Sequence, residues 1–242
     1  DDTPLGTVGN VRVDRGQLRN KNYEGLKKMS DAMRAVQERC GVTADGQFGP
    51  NTARAIAKHY DLSPERAAHL LGQASHESGG FRHTEENLNY SADNLEKVFG
   101  RRYFPTREDA ESYARNPEKI ANHVYMDKNR SKGGALGNVF EGDGWLFKGR
   151  GFLQCTGRTN YRAFAAEMRI PEVMQDPTMV ATEYAFESAL WFFERNKLFA
   201  IADEGVTDDT IKRITKKVNG GYNHLKDRNK KTKQIYGWLN EA

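Results

Sequence analysis

Apolar residues recur along most of the chain at three- and four-residue intervals, the spacing of helices that bury one face. The clearest case follows Ser63-Pro64-Glu65, a cap and then proline at the first helical position. Ala67, Leu70, Leu71 and Ala74 mark one stripe there, and Gly79-Gly80 supplies the stop. Val180, Ala181, Tyr184, Ser188, Trp191 and Phe192 predict another strong helix over 178–196. Further helices are predicted over 156–168, from Asp208-Asp209 through Ile211, Ile214 and Val218 to Gly220-Gly221, and along Leu225, Thr232, Ile235, Trp238 and Leu239. Between them, 90–130 alternates short helical patterns with turns at Phe104-Pro105 and Asn116-Pro117, and Ser91 caps Ala92–Phe99.

Two regions depart from this rhythm. Residues 1–26 scatter glycines among charges with little periodicity and read as an extended lead-in or linker. Residues 131–151 contain seven glycines, a density that suggests a loop or small hairpin whose backbone approaches something closely. Trp145, Phe147 and Phe152 argue that it is ordered. Residues 27–61 read as a small helical unit: Ser30 caps a helix bearing Met33, Val36 and Cys40, Gly41 ends it, Thr43–Gly46 turns, and Asn51 caps a second helix bearing Ala53, Ile56, Ala57 and Tyr60. Two short helices bury little surface, so the unit is expected to lean on its neighbour. Convincing strands are few, and the predicted fold class is mainly α.

Composition narrows the function classes. The 242 residues are 29% charged and 37% hydrophobic, which suits a globular protein with a real core. No run of 18 apolar residues exists, so no stable membrane insertion is expected. The start, on Asp1, carries no apolar signal region, which predicts a processed or excised chain. A net charge of +4 favours polyanions without choosing among them. The densest basic cluster, Lys226, Arg228, Lys230, Lys231 and Lys233, reads first as a solvated helix face. Cys40 and Cys155 form no disulfide framework and are expected as reduced thiols. Position 80 is glycine, so His76-Glu77 does not extend to a zinc motif. Neither metal nor cofactor is expected.

The chemistry-bearing stretches are HESGGF at 76–81, ENLNYS at 86–91 and GDGWLFKGRGFLQCTGRTNY at 142–161. Glycosidic cleavage needs two carboxylates across the scissile bond, one protonating the leaving oxygen and one activating water or attacking. Glu77 ends a helix, where the macrodipole and burial both work against an anion, as suits a general acid. Glu86 lies nine positions later, beyond a glycine pair that lets the chain fold back across a groove. Spacing alone leaves open two surface glutamates. In the third stretch, Gln154, Thr156 and Asn160 offer hydrogen bonds suited to hydroxyl and acetamide groups, although spacing alone also allows structural capping. Asn219-Gly220-Gly221, followed by Arg228, is a common helix ending.

In this order the motifs resemble the family 19 glycoside hydrolases, in particular the chitinase-like endolysins of bacteriophages and bacteria, over about 63–242. The resemblance implies a lysozyme-like, two-lobed, mainly α catalytic domain with a groove, and an inverting reaction. It makes Glu77 the acid and Glu86 the base, with Glu85 the competitor, and gives Thr156 a share in holding the attacking water. Gln154, Asn160 and Tyr161 correspond to groove-lining positions, and Asn219 and Arg228 to later sugar-binding and electrostatic ones. Phe147 and Cys155 depart from the usual residues without touching the chemistry. Inverting enzymes hold their carboxyls about 6.5–9.5 Å apart, and that separation is expected here. VQERCGVTADGQFGPNTARAIAKHY, 36–60, resembles the type 1 peptidoglycan-binding module, though in truncated form.

The expected organisation is therefore a lead-in (1–26), a peptidoglycan-binding-like module (27–61) and a catalytic domain (62–242). The expected function is hydrolysis of the β-1,4 bond between N-acetylmuramic acid and N-acetylglucosamine in peptidoglycan, by a monomer that does not bind nucleic acid. Chitin hydrolysis and a non-catalytic wall-binding or tail-associated role are the alternatives. An endolysin of this kind implies a host cytoplasm, then holin-dependent passage to the periplasm and cell wall, or else a place in the virion.

Overall fold

The computed structural model describes residues 31–241 and, ahead of them, a two-stranded antiparallel ribbon, β1 (Thr7–Val8) with β2 (Val11–Arg12). The expectations for the rest of 1–26, and for Ser30 as a cap, lie outside the described residues. The main helices are α1 (Asp31–Cys40), α2 (Pro50–His59), α3 (Pro64–Glu77), α4 (Ala92–Phe99), α5 (Arg107–Tyr113), α6 (Pro117–Val124), α7 (Asp143–Leu146), α8 (Arg158–Glu167), α9 (Ala185–Arg195), α10 (Leu198–Ala202), α11 (Asp208–Asn219) and α12 (Leu225–Asn240). The fold is mainly α, as the periodicity requires.

Local signals set most boundaries. The Ser63 side chain accepts the Arg66 amide and Pro64 opens α3; Ser91 caps α4 in the same way. Gly220, at φ 79°, closes α11. Asn51 does not cap α2: Pro50 already occupies the first turn and Gly49 is the cap. The long helix expected over 178–196 is also interrupted. Pro177–Ala181 is a 3-10 turn and α9 begins only at Ala185. At the break the Tyr184 amide turns back to the Met179 carbonyl (2.9 Å), and Arg39 Nη1 donates to the Glu183 carbonyl (2.9 Å), which an unbroken helix would use itself.

Two hydrophobic clusters give the molecule two lobes. The larger joins Leu70, Leu71 and Ala74 of α3 to Phe164 of α8, Phe186, Leu190 and Phe193 of α9, Ile214 of α11 and Ile235 of α12. The smaller joins Leu88, Leu95, Phe104, Ile120 and Val124, with Trp145 packed against it. α3 and α12 cross closely at Gly72, where a Cβ would stand 2.8 Å from the Thr232 Cα.

Residues 31–61 share the larger core. Met33, Val36, Ile56 and Tyr60 are buried within it. Arg39 pairs with Glu187 of α9 at 2.6 Å, and Tyr60 donates to the same carboxylate (2.5 Å). The turn over 42–47 is organised by Gln37, whose amide donates to Asp45, Gln47 and Thr52 and accepts the Gly46 amide. This segment is built as an extension of the larger lobe, and no break in the core falls at 61/62. Both cysteines are free thiols; burial pushes each up to about 12, which keeps them protonated and inert.

Candidate active site

Glu77 is the last residue of α3. Ser78 caps that end: its hydroxyl donates to the Ala74 carbonyl (2.6 Å) and accepts the Phe81 amide (2.9 Å). The Arg82 and His83 amides return to the Ser78 carbonyl, closing a tight turn through Gly79-Gly80. Outside that turn only four peptide steps, at most about 14 Å of chain, separate Glu77 from Glu86. The glycine pair thus brings the two carboxylates into one region.

Glu77 Oε1 lies 2.5 Å from Arg228 Nη2. Arg228 is 1% exposed, so its place in a solvated basic face is corrected: α12 turns it inward. Its Nη1 donates to Gln73 Oε1 (2.8 Å) and its Nε to the Asn223 carbonyl (3.0 Å). Beside this pair, His76 Nδ1 meets Asp227 Oδ2 at 2.6 Å, and Lys231 meets the same carboxylate at 2.7 Å. Two adjacent residues of α3 are thereby locked to two adjacent residues of α12. This partner of Glu77 comes from a helix about 150 residues further along the chain, beyond any local signal at the end of α3. Arg228 sets a full positive charge at the carboxylate, in addition to the partial negative charge of the helix terminus.

Glu86 sits on a minor hairpin that realises the glycine-rich loop. Arg150 and Cys155 exchange backbone hydrogen bonds (3.0 and 2.7 Å), the Glu86 amide donates to the Gly149 carbonyl (3.0 Å), and the Gly151 amide donates to Thr84 (2.7 Å). Tyr125 donates its hydroxyl to Glu86 Oε2 (3.0 Å). Burial raises the Glu86 carboxyl above the usual glutamate range, opposed by the Tyr125 hydrogen bond and the Lys148 charge. Glu85, its neighbour, is the carboxylate that the nearby cations contact: Lys148 Nζ lies 2.5 Å from Oε1 and Arg150 Nε 3.5 Å from Oε2. Glu85 is neutralised by two cations, while Glu86 keeps one buried oxygen without a hydrogen bond.

Gly149 is the close approach that the glycine density foretold. A Cβ there would overlap Gln154 Oε1, stand 2.8 Å from Glu86 Oε2 and 3.1 Å from Thr156 Oγ1. Gln154, Thr156 and the Glu86 carboxylate therefore converge on one bare patch of backbone. Gln154 is exposed and held at φ 40°, and the Asn160 amide donates to the Thr156 carbonyl (2.8 Å). Gly149→Ala is expected to displace Gln154 and Glu86 and to lower kcat/KM at least tenfold with little change in melting temperature, measured by steady-state hydrolysis and thermal denaturation.

Tyr161 does not line this cluster. It is 0% exposed, its hydroxyl donates to the Lys148 carbonyl (2.5 Å) and accepts from Arg150 Nη1 (3.2 Å), and its ring packs on Phe147. It supports the hairpin from below, because its position on α8 faces the larger core. Asn219 lies apart from the Glu86 cluster: its side chain accepts the Asn223 amide (3.3 Å) and shapes the loop whose carbonyl seats Arg228. Sequence reading overlooked Tyr125, for which there was no signal, and Gln73, whose signal was a polar residue within an apolar helix stripe. Among the described residues no group of three or more potential metal ligands comes together.

No family model matches the chain. Among solved structures it is similar to chitinase C from Streptomyces griseus (16% identity, TM-score 0.46, covering 88% of this chain and 94% of that one). It is also similar to a class IV family 19 chitinase from Zea mays (16%, TM-score 0.41, 93% and 89%). A glycosyl hydrolase family 19 domain-containing protein of Haemophilus influenzae is 36% identical over 175 residues, 72% of this chain and 80% of that protein. With that identity and coverage, the chain belongs to glycoside hydrolase family 19.

Proposed function

We propose that this family 19 glycosidase hydrolyses the β-1,4 bond between N-acetylmuramic acid and N-acetylglucosamine in peptidoglycan, with inversion at the anomeric carbon. The observation that carries the catalytic reading is the contrast between two nearby carboxylates: Glu77 against Arg228, and Glu86 among Tyr125, Gln154 and Thr156. Glu77 delivers a proton to the glycosidic oxygen as the bond to the anomeric carbon breaks. Glu86 takes a proton from a water held with the help of Thr156, and that water's oxygen attacks the opposite face. Arg228 stabilises the carboxylate that forms on Glu77 as its proton leaves, charge that develops only along the reaction. Gln154 and Asn160 orient the sugar amides and hydroxyls, and Asn219 holds the Arg228 loop.

Two features support the wall polymer as substrate: the net charge of +4, suited to an anionic polymer, and the Gln37-centred turn, which carries the motif resembling a peptidoglycan-binding module. On this reading the protein acts as a monomer, as an endolysin that reaches the wall from the host cytoplasm. Muropeptides released from purified sacculi in ¹⁸O-labelled water are the test. Label at the reducing end of N-acetylmuramic acid, with the α anomer formed first, is the expected result. Activity on colloidal chitin with intact sacculi would make the protein a chitinase, and inertness on both would leave a wall-binding role.

The reading also fixes a pH dependence. A general base works as the carboxylate, and burial raises Glu86. The acid limb of kcat/KM should therefore lie at higher pH than an ordinary glutamate would give. Tyr125→Phe removes a hydrogen bond that favours the charged form, so it should move that limb higher still. A limb that stays fixed in the variant would separate Glu86 from the rate-determining ionisation.

A further inference from the structure

α11 turns Ile211, Ile214 and Thr215 into the core, and its opposite face is basic. Some neighbouring cations are neutralised, Arg213 by Glu204 and Asp209, Lys233 by Asp208 and Lys231 by Asp227, while Lys217, Lys226 and Lys230 have neither a carboxylate nor a ring beside them among the described residues. Lys212 and Lys216 are different. Among the described residues no carboxylate pairs with either. Both ammoniums lie over the ring of Tyr222, 5.1 and 5.3 Å from its centroid. Tyr222 is itself 48% exposed, and Lys216 Nζ also donates to the Gly220 carbonyl (2.8 Å). Like charges four residues apart on a helix repel. The electron-rich ring face holds them together in spite of that, and an anion placed between them would remove the remaining cost.

The position of this group connects it to the chemistry. Tyr222 precedes Asn223, whose carbonyl seats Arg228 Nε at 3.0 Å, and Arg228 touches Glu77 at 2.5 Å. Two ammoniums without acidic partners thus stand beside the loop that holds the partner of Glu77.

We propose that Lys212, Lys216 and Tyr222 form a subsite for a carboxylate borne on the glycan, at the Glu77 end of the site, and that it distinguishes a charged wall polymer from a neutral one. This rests on the peptidoglycan reading above. The carboxylate comes from the stem peptide, or from the lactyl group of muramic acid where no stem peptide is attached, because the amide bond to the peptide consumes the lactyl carboxyl. Both share the chemistry that two ammoniums recognise, and both are missing from chitin. Tyr222 presets the lysines, so less side-chain freedom is lost on binding.

The test compares the wild type with K212Q/K216Q and with Tyr222→Leu on three substrates: intact sacculi, glycan strands stripped of stem peptides, and a neutral oligomer of the same glycan with its carboxylates converted to amides. The expected result is a KM on sacculi raised about three- to tenfold, the scale of two exposed ionic contacts. The salt dependence of KM should be weaker, and kinetics on the neutral oligomer unchanged. A KM effect on intact sacculi that disappears on stripped strands assigns the stem peptide; one kept on stripped strands shows that the subsite also takes the lactyl carboxylate that peptide removal sets free. Cleavage of sacculi with KM unchanged in K212Q/K216Q overturns this proposal and leaves the peptidoglycan reading standing. A wild type that does not cleave sacculi overturns both. Equal losses on all three substrates would show a structural role only, and retention on anionic phospholipid vesicles without any change on sacculi would reassign the patch to a membrane surface.

Discussion

Glu77→Gln should lower kcat by about 10²–10⁴-fold while the melting temperature stays close to that of the wild type. The amide fills the same space and still accepts a hydrogen bond from Arg228, but it carries no acidic proton for the leaving oxygen. The ion pair at 2.5 Å is lost, and it joins a buried guanidinium to a carboxylate 26% exposed. Gln73 and the Asn223 carbonyl keep Arg228 satisfied, so the loss in stability stays well below that of removing the arginine. Glu86→Gln should cost activity on the same scale, because the amide cannot take a proton from water. The informative comparison is with Glu85→Gln. Glu85 is neutralised by Lys148 and Arg150, and its loss should act through the hairpin, on stability as well as turnover. Turnover unchanged in Glu77→Gln would remove that residue from the mechanism, and a Glu85→Gln loss matching that of Glu86→Gln with the fold intact would reopen the identity of the base.

Arg39→Met should destabilise the whole catalytic lobe, by about 3–5 kcal/mol. Arg39 on α1 pairs with Glu187 on α9 at 2.6 Å, and the two side chains are 4% and 0% exposed. Removing the cation leaves Glu187 buried with its charge uncompensated, although the Tyr60 hydroxyl still donates to it. The same arginine holds the Glu183 carbonyl that interrupts the helix before Ala185, so two devices fail together. Chemical denaturation followed by tryptophan fluorescence measures the effect. A single cooperative transition moved to lower denaturant is expected, since 31–61 and the rest share one core. Two transitions, with only the minor one moved, would show the N-terminal helices to be an independently folding unit.

The shared core bears on how wall anchoring works, if the Gln37-centred turn provides it. A tethered module adds effective concentration through its linker. A rigid extension instead fixes one approach of the polymer relative to the catalytic carboxylates, which trades reach for orientation.

Helix positions were legible because burial of one face imposes a 3.6-residue period, and capping chemistry is local. Ser63, Ser91 and Gly220 do what their residue types dictate. The glycine density around 149 was legible as a close approach for a similar reason: a missing side chain is visible in sequence even when the atom that fills its place is not. The identities of those atoms, Glu86 Oε2, Gln154 Oε1 and Thr156 Oγ1, are not written anywhere near Gly149. Motif order singled out Glu77, Glu86, Thr156 and Arg228, but not that Arg228 is buried against Glu77. A cation in a run of five basic residues reads as solvated until the partner helix is in place.

Sequence by itself determined what depends on neighbours along the chain: the mainly α class, the caps and stops, the turn between Glu77 and Glu86, and the residue types needed for acid–base hydrolysis. Only the tertiary structure decided what depends on neighbours through space. It set Tyr125 on Glu86 and Lys148 on Glu85, it moved Tyr161 from the groove into the support beneath it, and it interrupted the helix at 182–184, where Arg39 takes the Glu183 carbonyl. The physical reason is one of range. Backbone hydrogen bonding and periodic burial act over a few residues, whereas charge, desolvation and packing act between groups that the fold alone brings together.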